Sequence, residues 1–307
     1  MESTAFIFPG QGSQFPGMGK ELAENFKVAA DTFAEADEAL ADRLSRLCFE
    51  GPEEALKLTA NTQPAILTVS VATLRVVRQE TGLEPSFLAG HSLGEYSALV
   101  AAGGLSFADA VRTVRARGTF MQEAVPVGVG AMAAILSAEP EVLVEICAEA
   151  AQGEVVSPAN FNSPGQIVIA GHATAVQRAI ELAKERGFRK AMLLPVSAPF
   201  HCALMVPAGE RLAATLATVP VGELAMPVVT NVEAEPNQDP SRVKELLVRQ
   251  VSAPVMWDRS VRRMRELGVE RFIEIGPGKV LAGLVKRIDK EAATANVEDL
   301  ASLKTLC

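Results

Sequence analysis

Phe87-Leu88-Ala89-Gly90-His91-Ser92-Leu93-Gly94-Glu95-Tyr96 reads as a short apolar strand that passes through one tight turn directly into a helix. The turn has the form Gly-x-Ser-x-Gly, the nucleophile elbow, in which a sharp bend lifts a serine hydroxyl out of a sheet. Gly90 and Gly94 suit it because neighbouring backbones pass where side chains would clash. The start of the following helix aims free N–H groups at Ser92, and such donors favour the negative charge that develops on an attacked carbonyl oxygen. Gly-x-Ser-x-Gly also arises by chance in many chains, so the strand–turn–helix context carries the argument.

Outward from this turn, residues 5–8 form a second short buried strand, ending at Pro9-Gly10 in a polar loop rich in Gly and Gln. Helical patterns fill 20–79, with interruptions expected at Gly51-Pro52 and Gln63-Pro64. After the elbow, a helix is expected over 93–102. Another follows over 106–123, with Ser106 as N-cap and Asp109 at the capping-box position. Residues 131–196 then read strand, helix, strand, the turn Ser163-Pro164-Gly165, strand, helix, strand: the ferredoxin-like order. Helices over 202–218, 241–250 and 257–267 alternate with strands at 228–230 and 271–275, and Gly276-Pro277-Gly278 opens a last helix. No motif is found after Asp289. The expected fold is α/β: a large α/β-hydrolase-like domain with a short parallel sheet, built from 1–126 and 199–307, with an inserted ferredoxin-like small domain over 127–198.

Composition narrows the function classes. The 307 residues are 49% hydrophobic and 21% charged, an ordinary globular mixture. Lys plus Arg total 29 against 37 Asp plus Glu, a net charge of −8 that argues against a nucleic-acid partner. The first ten residues lack the basic region of a secretory signal, and no apolar run approaches the ~20 residues of a membrane span. Cys48, Cys147, Cys202 and Cys307 lie far apart with no CxxC pair, which suggests reduced cysteines in a cytoplasm and no metal site. Basic clusters at 184–190 and 259–265 read as solvated helix faces, though either could receive an acidic partner.

A serine hydroxyl needs a base, and the chain has only 3 histidines. His91 adjoins Ser92, so its side chain should point away from the serine's face. His172 lies between a strand and a helix of the small domain, where capping is the natural role. His201 stands where the chain returns to the large domain and can overhang the elbow, which makes it the best base. A hydrolase triad would place an acid between serine and histidine, but the only aspartate there is Asp109, already assigned to a cap. A Ser–His pair oriented by a backbone carbonyl fits better.

The segments Phe8-Pro9-Gly10-Gln11-Gly12-Ser13-Gln14, Gly90 through Leu99, Asn160-Phe161-Asn162-Ser163-Pro164-Gly165-Gln166, Val196-Ser197-Ala198-Pro199-Phe200-His201 and Glu274-Ile275-Gly276-Pro277-Gly278-Lys279 together resemble the malonyl-CoA:acyl-carrier-protein transacylase family, in family order over nearly the whole chain. The resemblance implies an S-malonyltransferase of fatty acid synthesis. Ser92 would attack malonyl-CoA with His201 as base, and the 4'-phosphopantetheine thiol of acyl carrier protein would then take the malonyl group. It implies oxyanion donors at the backbone N–H groups of Gln11 and Leu93, a carboxylate partner in Arg117, and a backbone carbonyl at Gln250 that orients the histidine. An arginine suits that task because its fork offers two parallel donors and keeps its charge when buried. Read without the family, Gln11-Gly12-Ser13 could be an ordinary turn, and nothing local separates Arg117 from Arg112 and Arg115. Asn160, Asn162 and Ser197 are expected to line the cleft. Phe200 should crowd the space of an α-methyl branch and favour malonyl. The expected protein is a cytoplasmic monomer with no resident cofactor, meeting its carrier transiently. The competing readings are a discrete polyketide acyltransferase, a serine esterase and a non-catalytic scaffold that binds carrier protein. Retention of both Ser92 and His201 argues against the scaffold.

Overall fold

The computed structural model describes residues 3–196 and 198–306. Its strands are β1 (Thr4–Phe8), β2 (Phe87–Gly90), β3 (Gly130–Leu136), β4 (Val156–Ser163), β5 (Gln166–His172), β6 (Ala191–Leu193), β7 (Val228–Val229), β8 (Pro236–Asn237), β9 (Arg271–Ile275) and β10 (Ala293–Val297). They form two sheets, ordered β10-β9-β1-β2-β7-β8 and β4-β5-β3-β6. All neighbours in the first sheet are parallel except β7 and β8. The second is antiparallel, and with the helices Pro140–Ala151 and Ala173–Glu185 it has the ferredoxin-like order.

β1 is buried on both faces, as a central parallel strand must be. Phe6 and Phe8 face one apolar cluster, and Ala5 and Ile7 face another across the sheet. The chain leaves β1 toward β2 on one side, while β9 pairs on the other. Such a switch point opens a crevice at the carboxyl ends of the strands. Phe8 pairs with Gly90, so the loop after β1 and the elbow after β2 emerge side by side. The second sheet encloses its own aliphatic core. It is tied to the rest where Phe161 N–H donates to the Val255 carbonyl and Val255 N–H to the Ala159 carbonyl.

One expectation needs correction. Pro64 does not interrupt a helix, because Thr59–Thr81 runs through it. Proline removes one ladder donor near the start of a long helix, and almost every residue from Thr62 to Leu74 is buried, so packing outweighs the loss. The stretch after Asp289, which carries no motif, adds two elements. Ala293–Val297 is an edge strand on β9, followed by the short helix Leu300–Leu303, which Asp299 caps. The Ser106 cap forms as expected, its hydroxyl accepting from Asp109 N–H at 3.1 Å.

Candidate active site

The elbow is backbone packed on backbone. A Cβ at Gly90 would lie 2.0 Å from the Gly94 carbonyl, and one at Gly94 would lie 2.1 Å from the Phe8 carbonyl oxygen. Neither obstacle is a flexible side-chain end, so no rotamer change relieves it. Gly94→Ala should therefore cost at least ~4 kcal/mol, the range of exceptional single substitutions. The contrast is Gly283→Ala, in the helix Val280–Ile288 with open space around it, which should be neutral or stabilising by under ~1 kcal/mol. Urea midpoints of the two variants check this.

Ser92 sits at the tip with φ of +49°, a strained left-handed conformation for a non-glycine residue. Its Oγ lies 2.7 Å from His201 Nε2, and His201 Nδ1 lies 2.8 Å from the Gln250 carbonyl oxygen. A carbonyl only accepts, so the ring proton is on Nδ1 and Nε2 is free to accept from the serine hydroxyl. His201 also adopts a positive φ, +59°, just where the chain returns from the second sheet. Burial lowers its pKa to about 3, and the nearby Arg117 charge adds to the effect. The imidazole is thus neutral at physiological pH.

Arg117, from the helix Phe107–Glu123, is 1% exposed. Its Nη2 donates to Ser92 Oγ at 3.1 Å and to Gln250 Oε1 at 2.9 Å, and its Nη1 donates to Gln63 Oε1 at 2.7 Å. Its Nε is buried with no acceptor among the described residues. A buried cation whose partners among the described residues are all neutral is expensive, and this one lies at Ser92 Oγ. Gln11, Ser92, Leu93, Arg117, Phe200 and His201 share the lining of one cavity of about 120 Å³. Among the described residues, the backbone N–H groups of Gln11 and Leu93 make no hydrogen bond, which leaves both available to an oxyanion.

The other histidines are occupied. His91 Nε2 donates to Asn162 Oδ1 at 2.8 Å and its ring packs against Trp257, while His172 Nδ1 accepts from Val155 N–H at 2.9 Å. Asn160 lines the cavity beside Ser92 and the adjoining one, which Asn162 also lines. Ser197 lies outside the described residues. In the two basic clusters, Arg186 is paired with Glu145 and Glu149, Arg262 with Asp258, and Arg265 with Asp289.

Four groups escaped sequence reasoning. Asn231 accepts from Ser92 N–H through Oδ1 at 2.6 Å and donates to the Gly90 carbonyl through Nδ2 at 2.6 Å, bracing both sides of the elbow. Glu95, 2% exposed, accepts on Oε2 from Asn231 N–H at 3.0 Å and from Gln250 Nε2 at 2.8 Å. The Gln250 side chain also donates to the Ser92 carbonyl at 3.0 Å, so this residue contributes more than its backbone. Gln63 completes the set. Only Asn231 had a usable signal, lying just past the strand that flanks the elbow.

The acyl transferase domain family matches residues 5–305 of the chain. The malonyl CoA-acyl carrier protein transacylase of Escherichia coli (strain K12) is 53% identical over 288 residues, which cover 94% of this chain and 93% of that protein. The crystal structure of an acyl carrier protein S-malonyltransferase from Vibrio cholerae O1 superposes with a TM-score of 0.97 at 53% identity, covering 99% of this chain and 100% of that one. A malonyl-transacylase solved in complex with a type II PKS acyl-carrier protein gives a TM-score of 0.97 at 49% identity, covering 99% and 98%.

Proposed function

Because the chain belongs to the acyl transferase domain family, among the malonyl-CoA:acyl-carrier-protein transacylases, we propose that it carries a malonyl group from malonyl-CoA to the pantetheine thiol of acyl carrier protein as an ester on Ser92. The observation that carries this reading is a charged Arg117, with no carboxylate partner among the described residues, at the oxygen of a serine hydrogen-bonded to a neutral imidazole.

The geometry supports the following steps. Ser92 Oγ gives its proton to His201 Nε2 as it attacks the thioester carbon. The Gln250 carbonyl keeps Nδ1 protonated and stabilises the imidazolium. The oxyanion is assigned to the N–H groups of Leu93 and Gln11, and Arg117 to the malonyl carboxylate. As the C–S bond breaks, His201 returns the proton to the coenzyme A sulfur. The carrier thiol then attacks the ester, His201 takes its proton, and Ser92 recovers it on leaving. Phe200 is assigned the selection against branched acyl groups, and Asn160, Asn162 and Ser197 the lining of the substrate's path.

Action as a monomer is assigned to the chain. The large domain is assigned to 1–126 and 199–307 and the inserted small domain to 127–198, since the second sheet has its own core. No described helix is long and apolar enough to cross a membrane, and Cys48, Cys147 and Cys202 are free and buried, in keeping with a cytoplasmic enzyme. Serine–histidine chemistry requires no resident cofactor. Fatty acid synthesis is the assigned pathway. Similarity to a transacylase that binds a type II PKS carrier supports polyketide supply as the second reading.

Labelled malonyl-CoA, with and without each class of carrier protein, tests the proposal. Label should pass to the carrier and should be lost to water only slowly without it. Rapid hydrolysis with no malonyl-carrier formed would establish an esterase instead.

A further inference from the structure

Arg117 makes no ion pair among the described residues, yet a buried guanidinium requires compensation. An acid that acts on it lies one amide away: Arg117 Nη2 donates to Gln250 Oε1 at 2.9 Å, and Gln250 Nε2 donates to Glu95 Oε2 at 2.8 Å. Glu95 lines no part of the cavity beside Ser92. We infer that Glu95 is an exchangeable countercharge, which balances Arg117 in the empty site and takes up a proton when an acyl group bearing its own carboxylate pairs with the arginine.

The inference rests on the acyl-serine reading and deepens it. Two carboxylates sharing one buried cation cannot both remain ionised without cost, and the one already removed from water yields first. Burial raises the Glu95 pKa to about 7, against the opposing influence of its two hydrogen bonds and of Arg117. Losing part of that influence to the incoming anion pushes it higher. The proton goes to Oε1, the oxygen that Asn231 and Gln250 do not use. Around Glu95, Asn231 and Gln250 present amides. Tyr96, beside it on the same helix, stays neutral because burial raises its phenol. His91 and His201 are kept neutral by burial. Arg117 is the remaining charge that acts on Glu95. Glu95 touches no substrate and is a positioning residue that sets the charge balance of the pocket.

The test mixes the whole enzyme with malonyl-CoA or acetyl-CoA in weak buffer at pH 7.5, reading protons with an indicator dye and adduct by intact mass. Malonyl acylation should take up a proton, in part or whole, beyond the acetyl control, and Glu95→Gln should lose that difference. In wild type, the malonyl-to-acetyl adduct ratio should fall between pH 7 and 9, by up to about tenfold per unit, because the bound state holds more protons. In Glu95→Gln it should be flat. Equal proton counts for the two acyl groups with a flat wild-type ratio would overturn the inference even if the variant failed to fold. Malonyl-specific uptake retained by Glu95→Gln would overturn it as well. Absence of any adduct in wild type would instead sink the acyl-serine reading on which it stands.

Discussion

Ser92→Ala protein should show no malonyl adduct by intact mass after incubation with malonyl-CoA, and its kcat/KM for transfer should fall by about 10⁴–10⁶-fold. The expectation follows from the position of Oγ, which is both the atom 2.7 Å from His201 Nε2 and the atom to which Arg117 donates. His201→Ala should cost a comparable factor, because Nε2 is the only histidine nitrogen at the serine oxygen. The double variant should be hardly worse than either single one, since groups that act as one unit are not additive. Costs that multiplied in the double variant would show that the two side chains act separately.

Arg117→Ala should lower malonyl transfer by about 10²–10³-fold, the scale of removing one partner from a desolvated charge pair, and acetyl transfer by less than about tenfold. The difference between substrates is the informative quantity. Arg117 also bonds Gln63, Gln250 and Ser92 Oγ, so a general disturbance of the pocket would depress both reactions alike. Equal losses, read as kcat/KM for the two acyl-CoA substrates, would leave Arg117 a structural role only.

How much of this could be read beforehand depended on how local each feature is. The elbow was legible because Phe87 through Gly94 carries strand, turn and helix start in consecutive residues. His201 was found by elimination, since three histidines leave few options. The Gln250 carbonyl came only through family resemblance, because a backbone acceptor has no residue-type signature. Asn231 and Gln63 meet Ser92 or its partners from distant parts of the chain. Glu95 stands three residues beyond Ser92 but meets Asn231 and Gln250 only through the fold. Amides and acids of these kinds occur throughout the sequence. The edge strand β10, Ala293-Thr294-Ala295-Asn296-Val297, is mostly small or polar and has low strand propensity. Only its pairing with β9 makes it a strand. Pro64 misled because the rule for proline is local, while the burial that overrides it is tertiary.

The interleaving of the two sheets also bears on how the chain matures at the ribosome. Everything in the antiparallel sheet lies between Gly130 and Leu193, so it can close while the remaining third of the protein is still being made. The parallel sheet cannot, because Thr4 of its central strand waits for Arg271. Until β9 emerges, β1 has one flank covered by β2 and the other an unpaired apolar edge, the kind of surface that recruits other chains. The nascent chain therefore carries that open edge, and the aggregation hazard that goes with it, from the completion of β2 until β9 is made.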